Sequence, residues 1–269
     1  MKIKDLHRWD ITPEEARALQ IELAGSVMGG VLPEVTTVLG LDVSYRRSTG
    51  RVRASAVLLS NPDMAQTLSL SHEGLTPFPY VPGLLSFREV PALLPLLREC
   101  PPPSLIMVDG QGIAHPRGLG LASHVGLLTG IPTIGCAKSR LIGEHEELAD
   151  EPGADRPLMI NGKLSGYILR SKSRCNPLYV SPGHLLDPDE ALKGVRICLR
   201  GYRLPEPIRL ADRLSKQRDT VVSSQESGVR SQESGVRSQE SEKILAYHGV
   251  RGGTQKVNSV LWIHFQIPE

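Results

Sequence analysis

The sequence lacks the features of a secreted, membrane-anchored or disulfide-rich protein. Its first ten residues, MKIKDLHRWD, contain no apolar segment of the kind that a secretory signal needs, and no run of about 18 apolar residues follows. The 4 cysteines lie far apart and form no CxxC pair, so they indicate neither a zinc site nor a disulfide framework. We therefore expect reduced thiols and a cytoplasmic protein without membrane contact.

The chain also lacks a strong charge of either sign. Its 31 Lys and Arg residues nearly balance 29 Asp and Glu residues, and the net charge is +2. This balance permits a nucleic-acid partner, because a local groove of basic side chains can neutralise phosphates while another face is acidic. Apolar residues make up 40% of the 269 residues and cluster in the first part of the chain. We predict one folded domain over residues 1–216 and a separate tail over residues 217–269.

The tail contains an unbroken seven-residue repeat. SQESGVR occupies residues 224–230 and again 231–237, and SQESEK follows. A heptad can indicate a coiled coil, but each unit carries a glycine and a single apolar residue where a coiled coil needs two. We predict a disordered, low-complexity tail. The final stretch, VNSVLWIHFQIPE, has strand-forming character, although nothing in the sequence connects it to the core.

Hydrophobic periodicity in the first domain predicts an α/β fold. Residues 12–28 open with Thr12, Pro13 and Glu15, which form a capping box at the start of an amphipathic helix. Three strand-like runs then predict an antiparallel meander, and short buried strands joined by a crossover helix follow. A mixed sheet flanked by helices in this order is an architecture of the ribonuclease H type. Strands are predicted at 35–45, 51–60, 66–74, 104–110, 131–137, 159–170 and 177–183, and further helices at 121–130 and at 187–202, the last capped by Asp187.

Three acidic residues stand in apolar surroundings. Asp42 lies within the strand VLGLDVSY, Asp109 ends the strand SLIMVDG, and Glu89 follows Leu85 and Phe87. An unpartnered buried carboxylate is costly, so each acid needs compensation. Any one of them alone could cap a backbone group or pair with an arginine. Three together are typical of a site for Mg²⁺ or Mn²⁺, which neutralises a phosphodiester and activates water for its hydrolysis.

Longer motifs point to one enzyme family. Five segments resemble, in order and spacing, the successive motifs of endonuclease V, the deoxyinosine 3′ endonuclease family, and the resemblance covers roughly residues 5–215. It implies a ribonuclease H-like fold and a DNA repair endonuclease that acts as a monomer. Its substrate would be DNA that contains deoxyinosine, with RNA as the alternative substrate. The second phosphodiester bond 3′ to the lesion would be hydrolysed to leave 3′-hydroxyl and 5′-phosphate ends. The segments are 38–45, 79–89, 109–126, 135–139 and 204–212.

The resemblance also implies roles for individual residues. Asp42, Glu89 and Asp109 would hold Mg²⁺, for which Mn²⁺ can substitute, and Asp212 would be a further catalytic residue. Lys138 would contact the scissile phosphate or stabilise the leaving charge. Two alternatives stay open at this point, since Asp212 could be a surface acid and Lys138 a solvated lysine at a strand end.

A second group of residues resembles the base pocket of the family. Two prolines hold Tyr80 on a stiff turn, from which an aromatic ring can wedge into a base stack while the target base swings out. Packing of Tyr80 on the domain edge is the alternative. His115 either contacts the base or serves as an internal hydrogen-bond partner. Hypoxanthine differs from adenine at O6 and N1–H, which backbone groups can recognise. The full set is Tyr80, Pro82, Gly83, Leu85, Gly110 and His115.

Two positions depart from expectation, and two rival functions remain. Gln111 stands where many relatives carry His, which bears on how Asp109 is oriented. Pro95 removes a helical N–H and predicts a kink in a helix after Glu89. The rival functions are an inosine-specific endoribonuclease and a catalytically inert nucleic-acid-binding protein. The three intact acids argue against the second rival.

Overall fold

The computed structural model describes residues 1–46, 50–217, 243–247 and 261–262. Five helices and ten strands lie in these segments. The helices are α1 (Pro13–Ala24), α2 (Leu85–Glu99), α3 (Leu121–Thr129), α4 (Pro188–Ile197) and α5 (Glu206–Lys216). The strands are β1 (Thr37–Arg46), β2 (Arg51–Ser60), β3 (Gln66–Leu75), β4 (Leu105–Val108), β5 (Thr133–Ala137), β6 (Asp155–Ile160), β7 (Lys163–Leu169), β8 (Leu178–His184), β9 (Lys243–Tyr247) and β10 (Leu261–Trp262).

The strands form one mixed sheet. Its order is β10-β9-β3-β2-β1-β4-β5-β8-β7-β6. β1, β2 and β3 form the antiparallel meander, and β1, β4 and β5 are parallel neighbours, with α3 as the crossover between β4 and β5. The predicted α/β class, a ribonuclease H-like mixed sheet flanked by helices, is confirmed.

Helices cover both faces of the sheet because strand side chains alternate between the faces. On one face, Leu39 and Leu41 of β1 pack in a core with α2 and α3. On the other face, Val38 of β1 and Met107 of β4 pack with α4 and α5. Each strand residue is therefore assigned to one of two helix layers by its position along the strand.

The first helix confirms the predicted capping box. The Glu15 N–H donates to Thr12 Oγ1 at 3.2 Å, and the Thr12 N–H donates to Glu15 Oε2 at 2.7 Å. These two bonds satisfy donors that the first turn of a helix otherwise leaves unpaired. The helix ends at Ala24, four residues before the predicted end at residue 28.

Two secondary-structure predictions were wrong. The single strand predicted at 159–170 is the hairpin of β6 and β7. Asn161 and Gly162 turn the chain there with φ of 50° and 74°, the left-handed values that a two-residue hairpin turn requires. The helix predicted at 187–202 ends at Ile197, and Asp187 is its N-cap as predicted, although the Asp187 side chain makes no capping bond. It accepts instead from the Gly30 N–H at 3.3 Å.

The helix that carries Glu89 also differs from the prediction. α2 begins at Leu85, so Glu89 lies in its second turn and not before the helix. The helix continues through both Pro91 and Pro95 to Glu99. Packing of one apolar face of α2 on the sheet compensates the hydrogen bonds that the two prolines remove.

The tail is described at two short strands. β9 pairs antiparallel with β3 and β10 with β9, so part of the strand-forming final stretch joins the sheet edge. The repeat at 224–237 and its predicted disorder lie outside the described residues. The boundary between residues 216 and 217 stays a prediction. In the segments that the structure describes, no helix combines the length and apolar character that crossing a membrane requires.

Candidate functional site

Strand register brings Asp42 and Asp109 together. Leu41 of β1 is the register partner of Val108 of β4, and the two aspartates follow at the next position of each parallel chain. The Asp109 N–H donates to the Leu41 carbonyl oxygen at 3.1 Å. Alternation along the strands then directs both side chains to the face that α4 and α5 cover.

Helix α5 adds Asp212 to this pair. Its start lies against β1 at Gly40, where a Cβ would stand only 2.1 Å from the Pro207 carbonyl oxygen, so only glycine permits this approach. One carboxylate oxygen from each of Asp42, Asp109 and Asp212 lies within 4.8 Å of the other two. This position differs from that of an ordinary surface acid, which was the alternative interpretation of Asp212. We call these three residues the acidic group.

Two lysines and a serine contact the acidic group. Lys138, which directly follows β5, forms ion pairs with both Asp109 and Asp212, so it is not a solvated lysine. Lys216 Nζ lies 2.7 Å from Asp212 Oδ1. The Ser215 hydroxyl donates to Asp42 Oδ2. Asp212, Ser215 and Lys216 occupy positions i, i+3 and i+4 of α5, which is why they share one face of the helix.

The pKa values of Asp42 and Asp212 shift in opposite directions. Burial and the charge of Asp109 raise the pKa of Asp42 from 3.8 to about 7, although the Ser215 hydroxyl opposes the rise. Burial also acts against ionised Asp212, but hydrogen bonds from Lys138 and Lys216 outweigh it and lower the pKa of Asp212. For Lys138, burial disfavours the ammonium, and the neighbouring carboxylates nevertheless raise its pKa. Asp212 and Lys138 are therefore charged at neutral pH.

Glu89 approaches the site from the opposite helix layer. It belongs to α2, whereas the acidic group faces α5, and it is not a member of that group. Its carboxyl is still close enough to feel the other acids, since burial and the charges of Asp42 and Asp109 raise its pKa from 4.5 to about 8. Of the three predicted metal ligands, the structure brings Asp42 and Asp109 together, and Glu89 lies on α2 in the opposite helix layer.

The donor set fits a hard divalent cation. Carboxylate oxygens are the ligands that Mg²⁺ and Mn²⁺ prefer. Burial, together with the charges of the neighbouring acids, raises the pKa values of Asp42 and Glu89, and a bound cation would favour their ionised forms. The residues present therefore fit the predicted Mg²⁺ or Mn²⁺.

The predicted base-pocket residues lie on the turn 79–84, at the start of α2 and on the loop 109–120. Tyr80 is 70% exposed, which excludes close packing of its ring on the domain edge in this structure. Pro82 and Leu85 are exposed as well, and Gly110 directly follows Asp109. The Gly83 carbonyl oxygen accepts from His115 Nε2 at 3.0 Å, so the structure joins the turn to the loop.

Both ring nitrogens of His115 are engaged within the protein. Nε2 donates to the Gly83 carbonyl oxygen, and Nδ1 accepts from the Arg117 N–H at 3.2 Å. Burial and the charge of Arg117 lower the pKa of His115 from 6.5 to about 4, so the ring is neutral at physiological pH. This geometry favours the second of the two roles weighed for His115, an internal hydrogen-bond partner.

Gln111 links the loop of Asp109 to that of Lys138. Its side-chain Nε2 donates to the Ser139 carbonyl oxygen at 3.0 Å. The side chain is almost fully buried, and its Oε1 has no partner among the described residues. Gln111 therefore joins two segments that carry charged groups of the site.

Sequence reasoning missed four residues of the site. Ser215 and Lys216 were detectable in principle, because they follow Asp212 at helical spacing. Gln20 and Arg117 contact Gly83 across separations of 63 and 34 residues, and no local pattern reports such contacts.

Comparison with known proteins gives one consistent family. The family profile described as Endonuclease V matches residues 22–213. Endonuclease V of Dehalococcoides mccartyi strain BAV1 is 51% identical over 213 residues, which cover 78% of this chain and 96% of that protein. Endonuclease V of Azotobacter vinelandii is 50% identical over 216 residues, which cover 78% and 96%.

Solved structures agree with the sequence matches. The crystal structure of Endonuclease V from Streptomyces avermitilis is 41% identical, with a TM-score of 0.72, and the match covers 80% of this chain and 96% of that one. Endonuclease V from Ciona intestinalis, in complex with a 24mer DNA containing an inosine followed by a ribo-adenosine, is 28% identical with a TM-score of 0.65. That match covers 75% of this chain and 95% of the Ciona chain.

Proposed function

Because the chain belongs to the endonuclease V family, we propose that it is a metal-dependent endodeoxyribonuclease that recognises deoxyinosine in DNA. It hydrolyses the second phosphodiester bond 3′ to the lesion and leaves 3′-hydroxyl and 5′-phosphate ends. The purpose of the reaction is the repair of deaminated adenine. The monomer is the acting form, and the cytoplasm is its location.

The acidic group is the observation that carries this proposal. Strand register brings Asp42 and Asp109 together, Asp212 lies within reach of both, and the Glu89 carboxyl is close enough for the charges of Asp42 and Asp109 to help raise its pKa. A bound Mg²⁺, or Mn²⁺ in its place, would neutralise phosphate charge and make water a better nucleophile at neutral pH.

The charged residues around the group have separate tasks. Lys138 and Lys216 both contact Oδ1 of Asp212 and keep its carboxylate ionised beside Asp42 and Asp109. The Lys138 ammonium stabilises the charge that develops on the departing 3′ oxygen. The Ser215 hydroxyl holds the Asp42 carboxyl in one orientation.

The substrate assignment is supported by the relative from Ciona intestinalis, which was crystallised with DNA containing an inosine. In this chain, Tyr80 stands exposed on its turn and supplies the ring that fills the space left by the extruded base. The turn and the loop 109–120 form the walls that receive the base, while His115 holds them together from inside.

A nicking assay tests the function directly. The protein is incubated with a duplex that carries one deoxyinosine, with Mg²⁺ or with EDTA, beside the same duplex with adenine. We expect one nick at the second bond 3′ to the inosine, only with Mg²⁺. Binding of the inosine duplex without any nick would support an inert nucleic-acid binder instead. Faster cleavage of inosine-containing single-stranded RNA than of the matching DNA would support the endoribonuclease.

A further inference from the structure

Gln20 is a buried polar residue on the core face of α1. The buried residues of this helix are Ala16, Gln20 and Leu23, and Gln20 is only 1% exposed. A buried amide is tolerated when its donors and acceptor are all paired. The contacts of Gln20 therefore identify what this side chain does.

Each hydrogen-bonding group of the Gln20 amide is used. Nε2 donates to the Gly83 carbonyl oxygen at 3.1 Å and to the Leu119 carbonyl oxygen at 2.6 Å, and Oε1 accepts from Nε of Arg117. A flipped amide would place Oε1 against two carbonyl oxygens, so the orientation is fixed. One side chain thus connects α1 with the turn 79–84 and with the loop 109–120.

The Gly83 carbonyl oxygen is where these connections converge. It accepts from Gln20, from His115 Nε2 at 3.0 Å and from Arg117 Nη2 at 2.7 Å. We name Gln20, Gly83, His115, Arg117 and Leu119 the pocket network.

The loop 109–120 is itself anchored to the sheet. The Gly112 N–H donates to Ser181 Oγ at 2.9 Å, and the Ile113 N–H donates to the Pro182 carbonyl oxygen at 2.8 Å, both in β8. The turn 79–84 has only one internal backbone bond, from the Leu84 N–H to the Val81 carbonyl oxygen at 3.0 Å. The hydrogen bonds of the pocket network therefore tie the turn that carries Tyr80 to a loop that is itself bonded to the sheet.

We propose that Gln20 is a positioning residue that sets the place of Tyr80 and of the pocket wall before the target base arrives. This inference rests on the proposed function, because the pocket is assigned to an extruded base. A turn that is already in place loses less entropy on binding, so the benefit falls on the lesion complex and not on general attraction to phosphates. Gln20 acts through its hydrogen bonds to Gly83, Arg117 and Leu119, and none of these bonds involves the acidic group.

The test uses Gln20→Met, which keeps the length and apolar volume of the side chain and removes every hydrogen bond. Gln20→Glu is its partner, since it keeps an acceptor for Arg117 but cannot donate to Gly83 or Leu119. Thr12→Ala is the matched control, because it weakens α1 through loss of the capping box without touching the pocket network.

The first measurement is hydrogen exchange of the free protein. We expect faster exchange in peptides that cover residues 79–84 for both Gln20 variants and unchanged exchange there for Thr12→Ala. Unchanged exchange in Gln20→Met overturns the inference whatever the substrate is. Faster exchange in a protein whose wild type shows no preference for inosine would instead reject the proposed function and leave the positioning role standing.

The second measurement is single-turnover cleavage at several enzyme concentrations. For both Gln20 variants, we expect the concentration for half-maximal rate on the inosine duplex to rise about tenfold or more, with a smaller change in the rate at saturation. Affinity for an undamaged duplex should stay within about twofold. An equal loss of affinity for both duplexes, or the same loss in Thr12→Ala, would show that Gln20 only stabilises the fold.

Discussion

Asp42 lies on β1 and Asp109 directly follows the paired strand β4, whereas Tyr80 and Gly83 lie on a turn outside any helix or strand. The first region holds its side chains through strand register, and its carboxyls repel one another. The second region is held through hydrogen bonds that are mutually satisfied. The proposed metal site would therefore gain charge balance from a bound cation, whereas the hydrogen bonds of the proposed pocket are already formed without a ligand.

We expect the largest effect from removal of a proposed metal ligand. Asp42→Ala and Asp109→Ala should each lower Mg²⁺-dependent nicking more than about 10³-fold, because they remove the oxygens that register places together. Much of the DNA affinity should remain, since these acids oppose phosphate binding. Nicking assays and gel-shift titrations measure the two quantities, with the exposed Asp10→Ala as control. Near-normal cleavage by either variant would contradict the assignment.

The raised pKa values of Asp42 and Glu89 predict how the stability of the protein depends on pH. The pKa of Asp42 is raised from 3.8 to about 7 and that of Glu89 from 4.5 to about 8, so the folded protein retains protons that the unfolded chain releases. With a chelator present, the contribution of these two groups to the free energy of unfolding should be largest below about pH 4. It should fall as the pH rises to about 8. Each unit of pKa difference corresponds to about 1.4 kcal/mol, and the coupling of the acids makes the total smaller than the sum.

Thermal melts between pH 5 and 8, with EDTA and with Mg²⁺, measure this effect. Mg²⁺ should raise Tm more at pH 8 than at pH 5, because the cation binds ionised carboxylates. Glu89→Gln should flatten the dependence measured in EDTA, since it removes one of the two groups. A Tm in EDTA that rises from pH 5 to 8 equally in Glu89→Gln and in wild type would argue against proton uptake at this centre.

Tyr80 tests the pocket without touching the charges. Stacking of an aromatic ring on a base contributes about 1–3 kcal/mol, so Tyr80→Ala should slow single-turnover cleavage of an inosine duplex by roughly 5- to 150-fold. The loss should be smaller on single strands, where less stacking must be broken. Tyr80→Phe should be mild because the ring remains. Equal losses on both substrates for Tyr80→Ala would reject the wedge and indicate a pocket or folding role.

We expect the smallest effect from removal of the tail, because the described contacts of both regions lie within residues 1–217. A protein that ends after Gln217 keeps the carbonyl oxygen that accepts from Arg53 Nη1 at 2.6 Å, and it should fold and cut as the full chain does. Among the described residues, the truncation removes β9 and β10 and with them the edge pairing of β9 with β3. We expect a Tm within a few degrees of the full chain. A large fall in Tm or activity would show that the tail strands belong to the domain.

The sequence reveals the strand-borne part of the site better than the loop-borne part. Asp42 and Asp109 were found because each interrupts an apolar strand, and period-two alternation then places both on one face. Glu89 was recognised as an acid of the site, but its place on the α2 layer was not, because the prolines that follow it obscured the helix. Asp212 entered only through the family resemblance, since an acid on an amphipathic helix is ordinary by itself.

The pocket network could not be predicted for a physical reason. Gln20 contacts residues 63 to 99 positions away, and helical spacing on α1 indicates an apolar stripe at that face. Likewise, the Asn161–Gly162 turn was overlooked inside a run that reads as one strand, although its two residues are typical of a hairpin. In both cases a polar residue within an apolar pattern marked the place where the simple interpretation fails.

The late position of α5 in the chain has a consequence for biosynthesis. Asp42 emerges from the ribosome early, but its partners Asp212 and Ser215 lie in the last helix before residue 217. A nascent chain shorter than this helix contains Asp42 and Asp109 without Asp212, and the face of β1 at Gly40 lacks the contact with Pro207. We therefore expect the proposed cleavage activity to appear only when synthesis has passed residue 216.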